Sequence, residues 1–275
     1  MTRMATEPLP DSCCDDARPT VWLWSGHAAY RGPSLRLGTH SGSVTCFALG
    51  LDAPFLLRSG QAEPRRVRSA LIPARTSHQI VAGEEQTMLF FYVDPGASGT
   101  AHLLGAMTDR AGAIAYDHRD EAALIADWAQ GPVTDPEMLR RRLLDAGEAN
   151  PTDERIRVAM QRLRDRPGER GSAAEMAAAV NLSQSRFLHL FSAHSGTSFR
   201  RYRLWARMQY AAAAVSQGAD LSTAASDAGF ASPSHFSDTF RAMFGLTATQ
   251  LLSNQLRIVV MEHRAVDETR LRASH

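Results

Sequence analysis

Short apolar runs dominate the first third of the chain. They fall at 21–24, 44–49, 55–57, 69–72 and 88–93, and Gly, Pro, Ser and Asp separate them. Runs of this length, spaced by roughly ten residues and bounded by turn formers, predict a small antiparallel β-barrel or sandwich over 21–100. Residues 1–20 carry Pro8, Pro10 and Pro19 with no periodicity, and read as a flexible N-terminal segment. After Pro95 the spacing changes to threes and fours. Leu124, Ile125 and Trp128 form one apolar stripe; Leu139 and Leu143 form another behind an Asp135-Pro136 start. The stretch 101–150 is therefore expected to be helical, ending at Gly147 and Pro151. A second domain follows over 151–252, helical throughout, and 253–275 reads as a tail. Its first helix buries Ile156, Met160 and Leu163, and its second opens with a Ser172/Glu175 capping box. The expected fold class is α+β: a β-rich N-terminal domain with a helical extension, then an all-α domain.

The helical half repeats itself. SQSRFLHLFSAHSG at 183–196 and SPSHFSDTFRAMFG at 232–245 align at a fixed offset of 49 residues. Ser183 and Ser232 cap their helices, and Pro233 stands at the first helical position, where its missing N–H costs little. Phe187 and Phe191, like Phe236 and Phe240, are four apart and face one core. Gly196 and Gly245 supply the C-terminal turns. Each copy follows a short helix and a tight turn, so the pattern is helix-turn-helix, twice. A single helix at 199–217 joins the units. Its 19 residues span roughly 28 Å at 1.5 Å each. Two helices held that far apart can enter successive major-groove segments, which recur about every 34 Å. The mismatch favours some DNA bending, at about 1–6 kcal/mol.

Composition sharpens this. The 275 residues carry 30 basic and 29 acidic groups, a net charge of +1. That excludes a protein that coats nucleic acid by bulk charge. All the basic residues are Arg; GC-rich codon usage explains the missing Lys, although Arg forks also suit phosphate and base edges. The neutral total is an average. Residues 1–150 hold 14 Arg and 18 acids, a net of −4, whereas 151–252 hold 12 Arg and 8 acids, a net of +4. One domain alone thus carries the electrostatic footprint of a nucleic-acid partner. Three Cys, two of them adjacent, make no disulfide framework, and no signal peptide or membrane span is evident. A cytoplasmic protein with no membrane partner is expected.

Over about 153–252 the sequence resembles the AraC family of bacterial transcription regulators. The likeness rests on FRRYRLWARMQYAAA and on AGFASPSHFSDTFRAMFG. It implies seven helices with two helix-turn-helix units, double-stranded promoter or operator DNA as partner, and RNA polymerase as a further partner for an activator. Where the family usually has Pro, GLTATQ has Ala248, which affects only the last helix start. The N-terminal half is similar to small cupin-like sensor domains, on WLWSGHAAYRGPSLRLGTH, SALIPARTSHQI and LFFYVDP. That likeness implies a barrel binding an unidentified small-molecule effector, and a homodimer formed through helices at about 101–147.

Residues near the start of each second helix, facing away from the Phe core, should meet base edges. They are Ser185, Arg186, Leu188 and His189, then Pro233, Ser234, His235, Ser237 and Asp238. Arg186 reads guanine or phosphate, or is a solvated surface Arg. Asp238 accepts from cytosine, orients an Arg, or is a plain surface charge. Arg200, Arg201, Arg203, Arg207 and Arg241 are phosphate candidates; Arg207 is equally a partner for helix-end carbonyls. In the N-terminal half, His40, His78, Phe47 and Tyr92 are the effector-pocket candidates. Trp22, Trp24 and Phe55 are better read as core. Cys46 reads as a buried small hydrophobe; Cys13-Cys14, in a flexible acidic segment, could meet soft metals or oxidants, but two adjacent thiols cannot close a site alone. No cofactor and no metal are expected, because the His-x-His and downstream Glu of metal-binding cupins are missing. That absence also weighs against a catalytic cupin fused to a DNA anchor. Three badly spaced Cys argue against a methyl-accepting repair protein, and the near-neutral charge against a nucleoid protein.

Overall fold

A computed structural model describes residues 18–96, 99–129, 135–144, 153–169 and 171–261. The N-terminal half is built on β1 (Thr20–Leu23), β2 (Ala28–Pro33), β3 (Thr45–Gly50), β6 (Ser69–Ile72) and β8 (Thr87–Val93). With β9 (Met107–Ala111), β10 (Ile114–His118) and β11 (Arg257–Val260) they form an eight-stranded sheet, order β11-β1-β2-β8-β3-β6-β10-β9. A smaller sheet pairs β5 (Arg65–Val67), β4 (Phe55–Ser59) and β7 (His78–Val81).

The strands read as continuous apolar runs because both faces of the large sheet are covered. On β8, Leu89, Phe91 and Val93 face a core shared with α1 (Thr100–Gly105), α2 (Glu121–Ala129) and α3 (Pro136–Leu144). Phe90 and Tyr92 face the other way, toward the small sheet and the C-terminal helices. Trp22 packs edge-on against Trp128 of α2, with centroids 5.5 Å apart.

Two elements depart from the expected pattern. The stretch after Pro95 is not wholly helical: β9 and β10 form a hairpin about Gly112, whose φ is +60°. The expected tail contributes β11, which lies parallel to β1 with Val259 opposite Trp22.

The C-terminal half holds seven helices among the described residues: α4 (Glu154–Asp165), α5 (Ala173–Ala179), α6 (Gln184–Ser195), α7 (Phe199–Ser216), α8 (Leu221–Asp227), α9 (Pro233–Phe244) and α10 (Ala248–Leu252). Both bonds of the Ser172/Glu175 capping box form. Ser183 accepts from Arg186 N at 3.3 Å and Ser232 from His235 N at 3.1 Å, each cap contributing about 1 kcal/mol. Gly196 and Gly245 close their helices with φ of +62° and +80°. Helix-turn-helix geometry thus appears twice, as α5–α6 and α8–α9, joined by the 18 residues of α7.

The repeat is broken at one point. Phe187 and Phe191 are fully buried in their own unit, and Phe236 is buried in its unit. Phe240 is half-buried: it packs against both its own unit and the N-terminal half, and lines the space between them.

Candidate functional site

The start of each second helix presents a polar face to solvent. On α6, Ser185, Arg186, Leu188 and His189 are exposed. Leu188, at 37% exposure, is an apolar side chain held in water beside the buried Phe187. On α9, Pro233, Ser234, Ser237 and Asp238 are exposed. His235 is half-buried: its ring stands edge-on to Phe230 at 5.5 Å, and its Nδ1 lies 3.4 Å from Ala231 N. That geometry leaves Nε2 as its outward-facing nitrogen.

The five arginines named for phosphate divide. Arg200 and Arg241 are exposed. Arg203 donates to Gly171 O at 2.8 Å, with its guanidinium 5.7 Å from the centre of the Phe199 ring. Arg207 lies inside the fold. It is 8% exposed and donates through Nε to Pro167 O at 3.1 Å, holding the turn after α4. Arg201 reaches the N-terminal half, donating to Ser41 Oγ at 2.8 Å.

That last bond belongs to a seam which periodicity and spacing did not show. Helix α7 docks on the large sheet. Trp205 Nε1 donates to Gly26 O at 2.9 Å, and Gln209 Nε2 to His27 O at 2.8 Å. The end of α9 joins it: Gly38 N donates to Gly245 O at 2.8 Å, and Ser41 N to Ala242 O at 3.1 Å. Gly245 must be glycine here, because a Cβ would stand 2.6 Å from Gly38 O and its φ is positive.

At the other end lies a closed charge cluster. Asp94, 2% exposed, ends β8 and meets Arg164 of α4 at 2.5 Å. Tyr202 of α7 donates to the same carboxylate at 3.0 Å and accepts from Arg164 at 2.6 Å. Burial works against the charge on Arg164, but Tyr202 and Asp94 outweigh it and hold its pKa above the ordinary value. Burial and the adjacent carboxylate push the Tyr202 hydroxyl well up, so it stays a donor.

Between these anchors is an apolar cavity of about 100 Å³. Its walls come from β1, β2 and β8 on one side and from α7 and α9 on the other. Tyr92 of the four effector-pocket candidates lines it. Phe47 does not: at 0% exposure it packs on the opposite face of the sheet. His40 and His78 pair across an antiparallel bridge, ring centroids 4.3 Å apart, in a separate narrow gap that Cys46 and Tyr92 also line. Each Nδ1 is held by a backbone carbonyl, at 2.9 Å for His40 and 2.8 Å for His78. Burial pushes the Cys46 thiol up to about 12, which leaves it unreactive. Trp22, Trp24 and Phe55 are core. Cys13 and Cys14 lie outside the described residues. Among the described residues no group of three or more His, Cys, Asp or Glu could hold a metal ion.

The buried imidazoles make stability depend on pH. Burial draws His27 down to about 4, against the opposing pull of Asp94. His78 is drawn down to about 4 by burial and by His40 beside it. The unfolded chain therefore takes up protons that the folded chain refuses, and stability falls as pH drops from about 6.5 toward about 4. His27 alone should contribute a loss on the order of 3 kcal/mol. Thermal unfolding followed from about pH 7.5 to 4.5 checks this. His27→Asn keeps an acceptor for the Asp94 amide and should flatten the decline.

Two helix-turn-helix units on a connecting helix, each with an exposed polar start, define a DNA-binding protein. A family model described as "Helix-turn-helix domain" matches residues 176–254. ToxT from Vibrio cholerae has the same overall fold: 12% identity, 83% of this chain and 97% of that chain covered, TM-score 0.54. ToxT bound to an unsaturated fatty acid superposes over 82% of this chain and 94% of that chain, with 10% identity and a TM-score of 0.53. No curated protein matches the sequence. The C-terminal half thus holds a helix-turn-helix domain, on an overall fold shared with ToxT. Among the described residues no helix is long and apolar enough to cross a membrane.

Proposed function

We propose that this protein is a sequence-specific regulator whose second DNA-reading unit is controlled by a small molecule held in the seam cavity. The observation that carries this is the shared wall. Trp205 and Met208 of the connecting helix and Phe240 and Phe244 of α9 close a cavity whose floor is the N-terminal sheet. An occupant there touches the sensing half and the reading half at once, so its binding energy can favour one arrangement of the two. ToxT, which shares the fold, has been captured with a fatty acid, and this supports an effector role for the N-terminal half here.

In this reading Ser185, Arg186, Leu188 and His189 read one groove segment. Pro233, Ser234, His235, Ser237 and Asp238 read the next. Arg200 and Arg241 contact phosphate. Arg201, tied to Ser41, becomes available to phosphate only when the seam loosens. Arg203 and Arg207 set the connecting helix against the α4–α5 turn. Dimerisation through 101–150 draws support from Leu104 and Met138, apolar side chains 39% and 40% exposed on α1 and α3.

Selection from a random DNA pool by the full chain, followed by titration, tests the function. The selected duplex should bind about 1,000-fold more tightly than a scrambled one at physiological salt. Equal affinity for both would contradict it.

A further inference from the structure

We infer that the seam cavity takes a neutral, apolar molecule of about one aromatic ring or a short hydrocarbon chain, and rejects carboxylates. The inference rests on the reading of this cavity as the effector site.

No arginine lines the cavity, and the chain has no lysine to supply. Arginines outside the wall have partners of their own: Arg36, between the lining residues Leu35 and Leu37, with Glu84, Arg164 with Asp94 and Tyr202, and Arg201 with Ser41. The polar side chains of the wall are committed as well. Tyr30 donates to Pro33 O at 2.8 Å, Trp205 to Gly26 O, and Gln209 Nε2 to two backbone carbonyls. Burial raises the Tyr30 and Tyr92 hydroxyls above their ordinary values, so both rings stay uncharged. The Tyr92 hydroxyl is engaged with Cys46, so what remains for a ligand is acceptor oxygen alone, Gln209 Oε1 and the two phenolic oxygens, which suits an N–H or O–H donor and not an anion. A carboxylate entering this space would lose its hydration and find no cation in return.

The shape favours flat or thin occupants. Tyr92 stands edge-on to Phe244 at 5.6 Å and lies 5.7 Å from Trp205, so the wall offers both ring faces and ring edges. A volume of about 100 Å³ is somewhat smaller than an apolar protein cavity of about 150 Å³ that binds benzene.

Calorimetric titration of the full chain with matched pairs tests this: toluene against benzoate, and butan-1-ol against butanoate. Each neutral member should bind about 100-fold or more tightly than its acid, since an unpaired buried charge is the difference. Ala212→Phe, which fills the cavity, should weaken the neutral compounds about tenfold or more. Leu35→Lys, at the half-buried wall position Leu35, should narrow the gap by supplying the missing cation. Acids that bind the unaltered chain as well as their neutral partners would overturn the inference and leave the effector reading standing. Binding of none of the compounds would overturn both.

Discussion

Arg164→Ala should destabilise the protein by about 3–5 kcal/mol, the range for removing one partner of a buried ion pair. The cost comes from Asp94. Its carboxylate is 2% exposed and would keep only Tyr202 and the Gly96 amide as donors. Asp94→Ala should cost a comparable amount, by stranding a guanidinium whose side chain is 15% exposed. Asp94→Asn combined with Arg164→Met should cost less than the two single changes together, because no buried charge then stands alone. Urea unfolding of the single and double variants checks this. The pair joins β8 to α4 and α7, so the single variants should also loosen the two halves. Protection of the Trp205 indole N–H and of the backbone amides of 26–28 from hydrogen exchange should fall more than protection within α6. A loss under about 1 kcal/mol would mean that the cluster is solvated, as surface pairs are.

Arg186→Ala and His235→Ala should each weaken binding to a selected site by about tenfold to 100-fold, the cost of losing a base contact. Binding to scrambled DNA should change far less. The two side chains sit at equivalent places in the repeat but in different settings. Arg186 is exposed, whereas His235 is braced by Phe230 and Ala231. His235→Ala should therefore also cost a small amount of stability, whereas Arg186→Ala should cost almost none. Arg200→Ala should weaken both DNAs alike and reduce the salt dependence by about one ion. Equal losses on both DNAs for Arg186→Ala would reassign that residue to the backbone.

The reading half was legible because its signals are local. Ser caps, the Pro233 start, Phe pairs four apart and C-terminal glycines all lie within fourteen residues in each copy, and the second copy repeats the first. The seam was not legible because its contacts are remote in sequence. Asp94 meets a residue 70 positions away, Ser41 one 160 away, and Gly26 one 179 away. Nothing in the periodicity of either half marks Asp94 or Arg164 as partners. The half-burial of Phe240 has the same remote origin, since it lines the space left where the two halves meet. Strand β11 is four residues long and pairs with β1 at the far end of the chain, so it carried no hairpin signal. The β9–β10 hairpin did carry one: Gly112 between TDRA and IAYDH is a turn former between two short strands. Phe47 pairs with Phe91, so the strand alternation puts it on the opposite face of the sheet from Tyr92.

The central claim is that one chain reads DNA with two units held apart by α7. The most direct measurement is a base-resolution footprint of the full chain on its selected site, repeated with Arg186→Ala and with His235→Ala. Two protected patches are expected, centred about one helical turn, or 10 base pairs, apart. Each variant should erase base specificity in one patch and spare the other. A single patch, or two patches that both variants weaken equally, would contradict the account.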